Sequence, residues 1–530
     1  MKTRLVVVSP GLGLSIDDWE PLLTRLGNEA GWGPTTTDFL RDETRTKAHS
    51  TRRLAEIADV LAARIHARWI EAGGYSEIIL VGHSLGGLVV RQSYLIGRGA
   101  VAGVELKHAW AAAVTRIVLL AAPNRGVERL PWYGVPFDWF VQRLPLPTFT
   151  YEDLKRGSAF VTNLRIAWIR LFVGAAAGAR LPQVVQLLGT EDAVVHENDS
   201  VDVLACPGTL YVKVPDASHT RIHRLEGLSV PDARERYTLL RAAIIDPSLL
   251  QPATPAALVE REPPAPRAVF VLHGIRASQI DDWLLKVERK ARECFPKGTV
   301  LKRPAYGYFT AIRFALPAVR RRNIRKFQDA YTELIARHPN VVPDFIGHSN
   351  GTYMLGQSLL EVPAMRFGNV VLAGSVLPQD YPWDEKTGTQ VLRVRSERGQ
   401  RDWPVGWLCN VLRKAFFMRD VGTGGYSSFE RGEVSQEKYH SGKDGHGAMF
   451  TDENIPRMVR FALGEDPGPE LSTQVPELAW WSRVSRLLVW LVPLMLLAIC
   501  AVVYWLLGGI VGAAVLLALF ALTYVVLDVL

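Results

Sequence analysis

Continuous apolar runs punctuate the first half of the chain: RLVVVSP (4–10), EIILVGH (77–83), RIVLLAA (116–122), QVVQLLG (183–189) and TLYVKVP (209–215). They are mostly continuous rather than alternating, which predicts strands covered on both faces. Between them lies TRRLAEIADVLAARIHARWIEAG (51–73), where apolar positions return every three or four residues, as on the buried face of a helix. The same alternation restarts at AVFVLHG (268–274) and continues through VPDFIGH (342–348), NVVLAGS (369–375) and QVLRVRS (390–396). Strand and helix alternating twice over predict two α/β units, each a mostly parallel sheet flanked by helices, over residues 1–245 and 268–465. The intervening DPSLLQPATPAALVEREPPAPR (246–267) is broken by prolines and predicts an extended linker.

The end of the chain has another character. LLVWLVPLMLLAICAVVYWLL (487–507) carries no charge and, at about 1.5 Å per residue, is long enough for a bilayer core of about 30 Å. IVGAAVLLALFALTYVVL (510–527) follows after Gly508 and Gly509, so residues 487–530 are expected to form a two-helix transmembrane hairpin, with a re-entrant hairpin as the alternative, behind a juxtamembrane linker at 466–486. A buried helical pair in a soluble core is the competing reading, and it requires both runs to be hidden on every face. Trp480 and Trp481 suit the interface, and Arg483 and Arg486 beside them orient residues 1–486 toward the cytoplasm. The apolar run after MKTR is too short for a signal peptide. A net charge of +8 without zinc-finger, RNP or helix-turn-helix signals argues against nucleic acid and for a membrane surface. Cys206, Cys294, Cys409 and Cys500 lack paired spacing, which fits a reducing compartment.

Two of the strands run into the same chemistry. IILVGHSLGGLVVR (78–91) and DFIGHSNGTYMLG (344–356) each place Gly-x-Ser-x-Gly after an apolar strand and before a helix-like run, a turn that lifts a serine above the sheet edge. On these residues the chain resembles the α/β-hydrolase superfamily, in its lipase, esterase and thioesterase branch, across most of 1–245 and 268–465. The resemblance implies two tandem α/β-hydrolase domains with Ser84 and Ser349 as nucleophiles. A serine hydroxyl also needs a histidine base and an orienting carboxylate, in the chain order Ser, Asp, His. In the first half these are Asp192, in TEDAVVHENDS, with Asp199 and Glu191 as rivals, and His219, in VKVPDASHTRIH, with His223 as second choice. In the second half they are Asp402, against Glu397, and His446, against His440. The oxyanion hole is expected from the backbone amides of Leu85 and Leu12 in one copy and of Asn350 and Ile275 in the other. Ile275 follows the familiar His273-Gly274 pair, whereas Leu12 follows Pro10-Gly11, a departure from the usual histidine.

An insertion at about 127–180 contains Trp132, Tyr133, Phe137, Trp139, Phe140, Phe149 and Tyr151, either an aromatic cap suited to an acyl chain or core packing. AAPNRG (121–126) and DLKRGSAFV (153–161) resemble segments of triglyceride lipases and GPI inositol-deacylase-like esterases. In the second half AYGYFTAIRFALPAVRRRNIRKF (305–327) mixes aromatic and basic residues. It reads as a contact for anionic headgroups, at about 1 kcal/mol per basic side chain, or as a solvated helix face. Neither half contains a P-loop, a dinucleotide-type glycine fingerprint or a metal-ligand cluster, so no cofactor and no metal is expected. The expected function is a membrane-anchored serine hydrolase acting on lipid or acyl esters. Acyl transfer on the same triad and a non-enzymatic membrane scaffold are the alternatives.

Overall fold

The structure, a computed structural model, describes residues 3–42, 51–103, 107–128, 149–175, 178–252, 263–274, 282–304, 314, 316–399, 401–415, 417–439 and 445–469, with isolated positions at 498, 501, 502, 505, 506 and 511. Two compact units are present: Met1–Pro263 with Gln328–Asn340, and Pro264–Phe327 with Val341–Leu530.

In the first unit, β1 (Arg4–Ser9), β2 (Thr37–Arg41), β3 (Glu77–His83), β4 (Val114–Leu120), β5 (Gln183–Gly189) and β6 (Leu210–Val214) form one parallel sheet in the order β2-β1-β3-β4-β5-β6. Leu5, Val6, Val7 and Val8 are all buried, as expected of a strand covered on both faces. Each such side chain stabilises the fold by about 1.5–3 kcal/mol. One face of the sheet, through Val6, Val8, Ile79 and Val81, packs on Trp19 and on Leu22, Leu23 and Leu26 of helix α1 (Glu20–Gly27). Helix α2 (Leu54–Ala72) falls inside the window its periodicity predicts. The Asp153 carboxylate accepts the Leu54 N–H at 3.0 Å at its start, and Gly73, at φ 69°, ends it in the left-handed region.

The second unit repeats the plan. β7 (Ala268–Leu272), β8 (Val300–Lys302), β9 (Asp344–His348), β10 (Phe367–Ala373), β11 (Val391–Gly399) and β12 (Val434–Tyr439) form a parallel sheet in the order β12-β11-β10-β9-β7-β8. Read from β8, this is the permutation of the first sheet: second strand, first, third, fourth, fifth, sixth. Strand order reverses between the first and third strands of each sheet, and the crevice beyond the carboxyl ends there is where such folds bind ligands.

Three strands escape the apolar pattern, namely β2 (TDFLR), β8 (VLK) and β12 (VSQEKY), and all three are edge strands. The basic stretch at 305–327 is corrected in part. Phe314 and Arg320 are buried, and Arg320 donates to Tyr353 Oη at 2.9 Å and to Asp420 at 3.2 Å. A guanidinium so paired is not offered to headgroups, whereas Arg321, Arg322 and Lys326 are exposed. Residues 305–313 lie outside the described residues, as do cap aromatics 132–140, linker residues 253–262 and most of 470–530. Tyr151 is buried. Among the described residues no helix is long and apolar enough to cross a membrane. The runs at 487–507 and 510–527 fall outside those residues except at the isolated positions.

Candidate active site

Ser84 stands between the end of β3 and the start of helix α3 (Leu85–Gly97), and Ser349 between β9 and helix α4 (Asn350–Glu361). Both serines hold a backbone that L residues rarely adopt, φ 52° and ψ −122° at Ser84, φ 52° and ψ −117° at Ser349. Such strain persists only where the surroundings over-determine it. Here the Ser84 N–H bonds the Leu120 carbonyl at 2.8 Å, and the Ser349 N–H bonds Ala373 at 3.0 Å, each at the end of the adjacent strand. The flanking glycines make the turn sterically feasible. A Cβ on Gly86 would lie 2.2 Å from the Ser9 carbonyl oxygen, and one on Gly82 would lie 2.5 Å from that of Gly86.

Loops after the fifth and sixth strands supply the partners. In the first unit Gly189 ends β5 so close to the loop after β6 that a Cβ there would meet the Ala217 carbonyl at 1.9 Å. The Glu191 N–H bonds that carbonyl at 3.2 Å, tying the two loops together. Asp192 then aims one oxygen at its own turn, accepting the Val194 and Val195 N–H groups at 2.9 and 2.8 Å, and the other at His219 Nδ1 at 2.9 Å. His219 Nε2 lies 2.9 Å from Ser84 Oγ. The three side chains thus form a continuous hydrogen-bonded chain, with all three groups largely buried. The geometry suits a proton moving from Oγ to Nε2 while the carboxylate fixes the tautomer.

The rivals are otherwise engaged. Asp199 is buried beside Arg156 at 2.8 Å, and Glu191 is exposed. His223 stacks on Trp19 with ring centroids 4.4 Å apart, and burial pushes its imidazole down to about 4.

The second unit assembles two of its three expected groups. Gly399 ends β11 against the Gly445 carbonyl, which a Cβ would meet at 2.4 Å. Three residues on, the fully buried Asp402 accepts the Val405 N–H at 3.0 Å and faces His446 Nδ1 at 2.7 Å. Among the described residues no hydrogen bond joins His446 to Ser349, and the His446 side chain is 24% exposed against 11% for His219. Glu397, the competing acid, instead pairs with Arg395 at 2.6 Å inside the sheet. His440 lies outside the described residues.

Leu85 and Asn350 open their helices, where an N–H has no intrahelical acceptor and can serve an oxyanion. The loop after the first strand closes on the serine in both units: a Cβ on Gly11 would lie 3.0 Å from Ser84 Cβ, and one on Gly274 would lie 2.8 Å from Ser349 Cβ. Leu12 follows directly; Ile275 lies outside the described residues. A polar cavity of about 510 Å³ in the second unit, lined by Asp380, Asn410, Arg413, Tyr426 and Glu430, borders neither Ser349 nor His446. The histidine preceding each serine, His83 and His348, was not singled out by spacing, although its recurrence in both Gly-His-Ser-x-Gly copies was a signal in plain view.

Residues 5–234 match the model of the α/β hydrolase family. No curated protein matches the chain. Among solved structures, phospholipase PlaB from Legionella pneumophila is similar at 14% identity over 46% of this chain, with a TM-score of 0.33. The match spans 60% of the PlaB chain, under two thirds of its length. A Paleococcus ferrophilus monoacylglycerol lipase matches at 14% identity over 46% of this chain and 97% of its own, TM-score 0.30. A Pyrobaculum calidifontis esterase matches at 15% over 47% of this chain and 78% of its own, TM-score 0.34.

Proposed function

We propose that the protein is a serine hydrolase that cleaves carboxylic esters of lipid or acyl substrates, anchored to a membrane by residues 487–527 with its hydrolase units in the cytoplasm. The observation that carries the chemistry is the chain Ser84 Oγ, His219 Nε2, His219 Nδ1, Asp192 Oδ2, with both links at 2.9 Å. Ser84 Oγ attacks the ester carbonyl as its proton passes to His219 Nε2, and the amides of Leu85 and Leu12 receive the oxyanion. Collapse breaks the bond to the alcohol, which leaves with the proton from His219. Water, deprotonated by the same nitrogen, then releases the acid and restores Ser84. The family match over residues 5–234 supports this reading, and the uncharged runs near the carboxyl end support the anchor.

Ser349, His446 and Asp402 form the second proposed centre. The missing Ser349–His446 hydrogen bond supports a second reading for that unit, a ligand-binding module in which Ser349 is not activated.

Labelling with a fluorophosphonate, followed by intact mass, tests both. Ser84→Ala is expected to abolish one adduct and to lower the turnover of the first unit's site by about 10³-fold or more. Unchanged hydrolysis in the Ser84→Ala, Ser349→Ala double variant refutes the mechanism. An adduct that survives Ser84→Ala and disappears with Ser349→Ala makes the second centre a catalyst; its absence in wild type makes that unit a binding module.

A further inference from the structure

We propose that the histidine immediately before each serine, His83 in the first unit and His348 in the second, is a positioning residue. It holds the backbone of the base histidine and the edge of the oxyanion loop in register with the nucleophile. The proposal rests on the reading of Ser84 and Ser349 as nucleophiles.

In the first unit His83 Nε2–H donates to the main-chain carbonyl of His219 at 2.7 Å, and in the second His348 Nε2–H donates to that of His446 at 3.2 Å. The ring pairs repeat as well, with centroids 5.2 Å apart at 43° and 4.5 Å apart at 40°. The carbonyl held is that of the very residue whose imidazole meets the catalytic carboxylate, so the bond fixes the Cα from which the base reaches the serine. The opposite edge of the same ring faces the oxyanion loop. A Cβ on Gly11 would stand 2.8 Å from His83 Nδ1, and one on Gly274 would stand 2.9 Å from His348 Nδ1, leaving room there for a hydrogen only. One imidazole therefore touches the base loop through Nε2 and the oxyanion loop through Nδ1, and it is joined to the serine by a peptide bond.

An aliphatic side chain would fill this space but leave the carbonyl without its donor, which is costly away from water. Burial, followed by the neighbouring histidines, holds the His83 imidazole well below its usual range, and burial with His446 does the same for His348. Both rings are thus neutral, and a neutral ring donating from Nε2 has a bare Nδ1, which suits the tight approach of the glycine. Two units with different sequences converge on this arrangement, down to the edge that each nitrogen faces.

The test compares full-length His83→Phe, which keeps a ring without the donor, with His83→Gln, whose amide N–H lies the same number of bonds from Cβ. Three quantities are read: the labelling rate of Ser84, the ester-hydrolysis kcat and KM, and the low-field proton NMR signal of the His219–Asp192 hydrogen bond. His83→Phe is expected to slow labelling and kcat by about 10- to 100-fold with KM nearly unchanged, and to broaden or remove the low-field signal. His83→Gln is expected to recover most of all three. Wild-type labelling and an unchanged signal in His83→Phe overturn the proposal, as does His83→Gln behaving like His83→Phe. Failure of wild-type Ser84 to label refutes the nucleophile reading instead, and the NMR signal then decides the positioning role by itself.

Discussion

At the residue scale, His223 shows how environment separates histidines that look alike in sequence. It lies four residues from His219, yet it is stacked on Trp19, and neither ring nitrogen has a hydrogen-bond partner among the described residues. Burial, then Arg224, pushes its imidazole down to about 4. The unfolded chain therefore binds a proton near the ordinary pKa of about 6.5 that the folded unit refuses until about 4. This contribution to stability is whole above that window and is lost as pH falls through it, by about 3 kcal/mol at most. The denaturant midpoint should fall between about pH 7.5 and pH 5, and His223→Phe, which preserves the stack, should flatten part of that fall. His83 shifts in the same direction and accounts for a remainder. An identical pH profile in His223→Phe would remove His223 as a source. Motif and chain order were enough to pick out the two serines and the histidine–carboxylate pairs that the structure brings together, His219 with Asp192 and His446 with Asp402. The roles of His83, His348 and His223 were not, because they depend on which loops meet beneath the serine, a matter of tertiary packing that spacing along the chain does not encode.

At the element scale, the turns around the serines are governed by what lies across from the glycines. Gly86→Ala puts a methyl 2.2 Å from the Ser9 carbonyl oxygen, which is backbone and cannot swing away. The variant is expected to destabilise the first unit by about 1–3 kcal/mol and to abolish labelling at Ser84 while leaving that at Ser349. Normal Ser84 labelling in this variant would mean that the turn tolerates displacement. Every central strand was legible, whereas of the four edge strands only β6 was. EIILVGH and NVVLAGS are almost wholly buried and read as unbroken apolar runs, whereas VSQEKY and VLK have a neighbour on one side only and need little apolar surface. Helix α2 was legible from its period, but its capping carboxylate, Asp153, comes from 99 residues downstream and left no local mark.

At the scale of the whole molecule, the duplication visible in the two serine motifs extends to strand order, to the glycine that closes each acid loop on its base loop, and to the carboxylate that follows three residues later. The anchor proposed at 487–527 has a direct consequence for fractionation. The full chain should stay in the membrane pellet through an alkaline carbonate wash, and a chain ending at residue 469 should be released. Release of the full chain by the wash would end the anchored reading.

The shared backbone of Ser84 and Ser349 turns each into a conformational clock. No unfolded chain populates φ 52° with ψ near −120° at a serine to any useful extent, so under the proposed function each hydroxyl reaches its attacking position only once its strand-to-helix turn has formed. A covalent probe that reacts only in that position records, molecule by molecule and in a single mass spectrum, which half of the chain was folded when the reagent arrived. Melting of the two halves could thus be followed separately without a fluorophore or a cut in the chain.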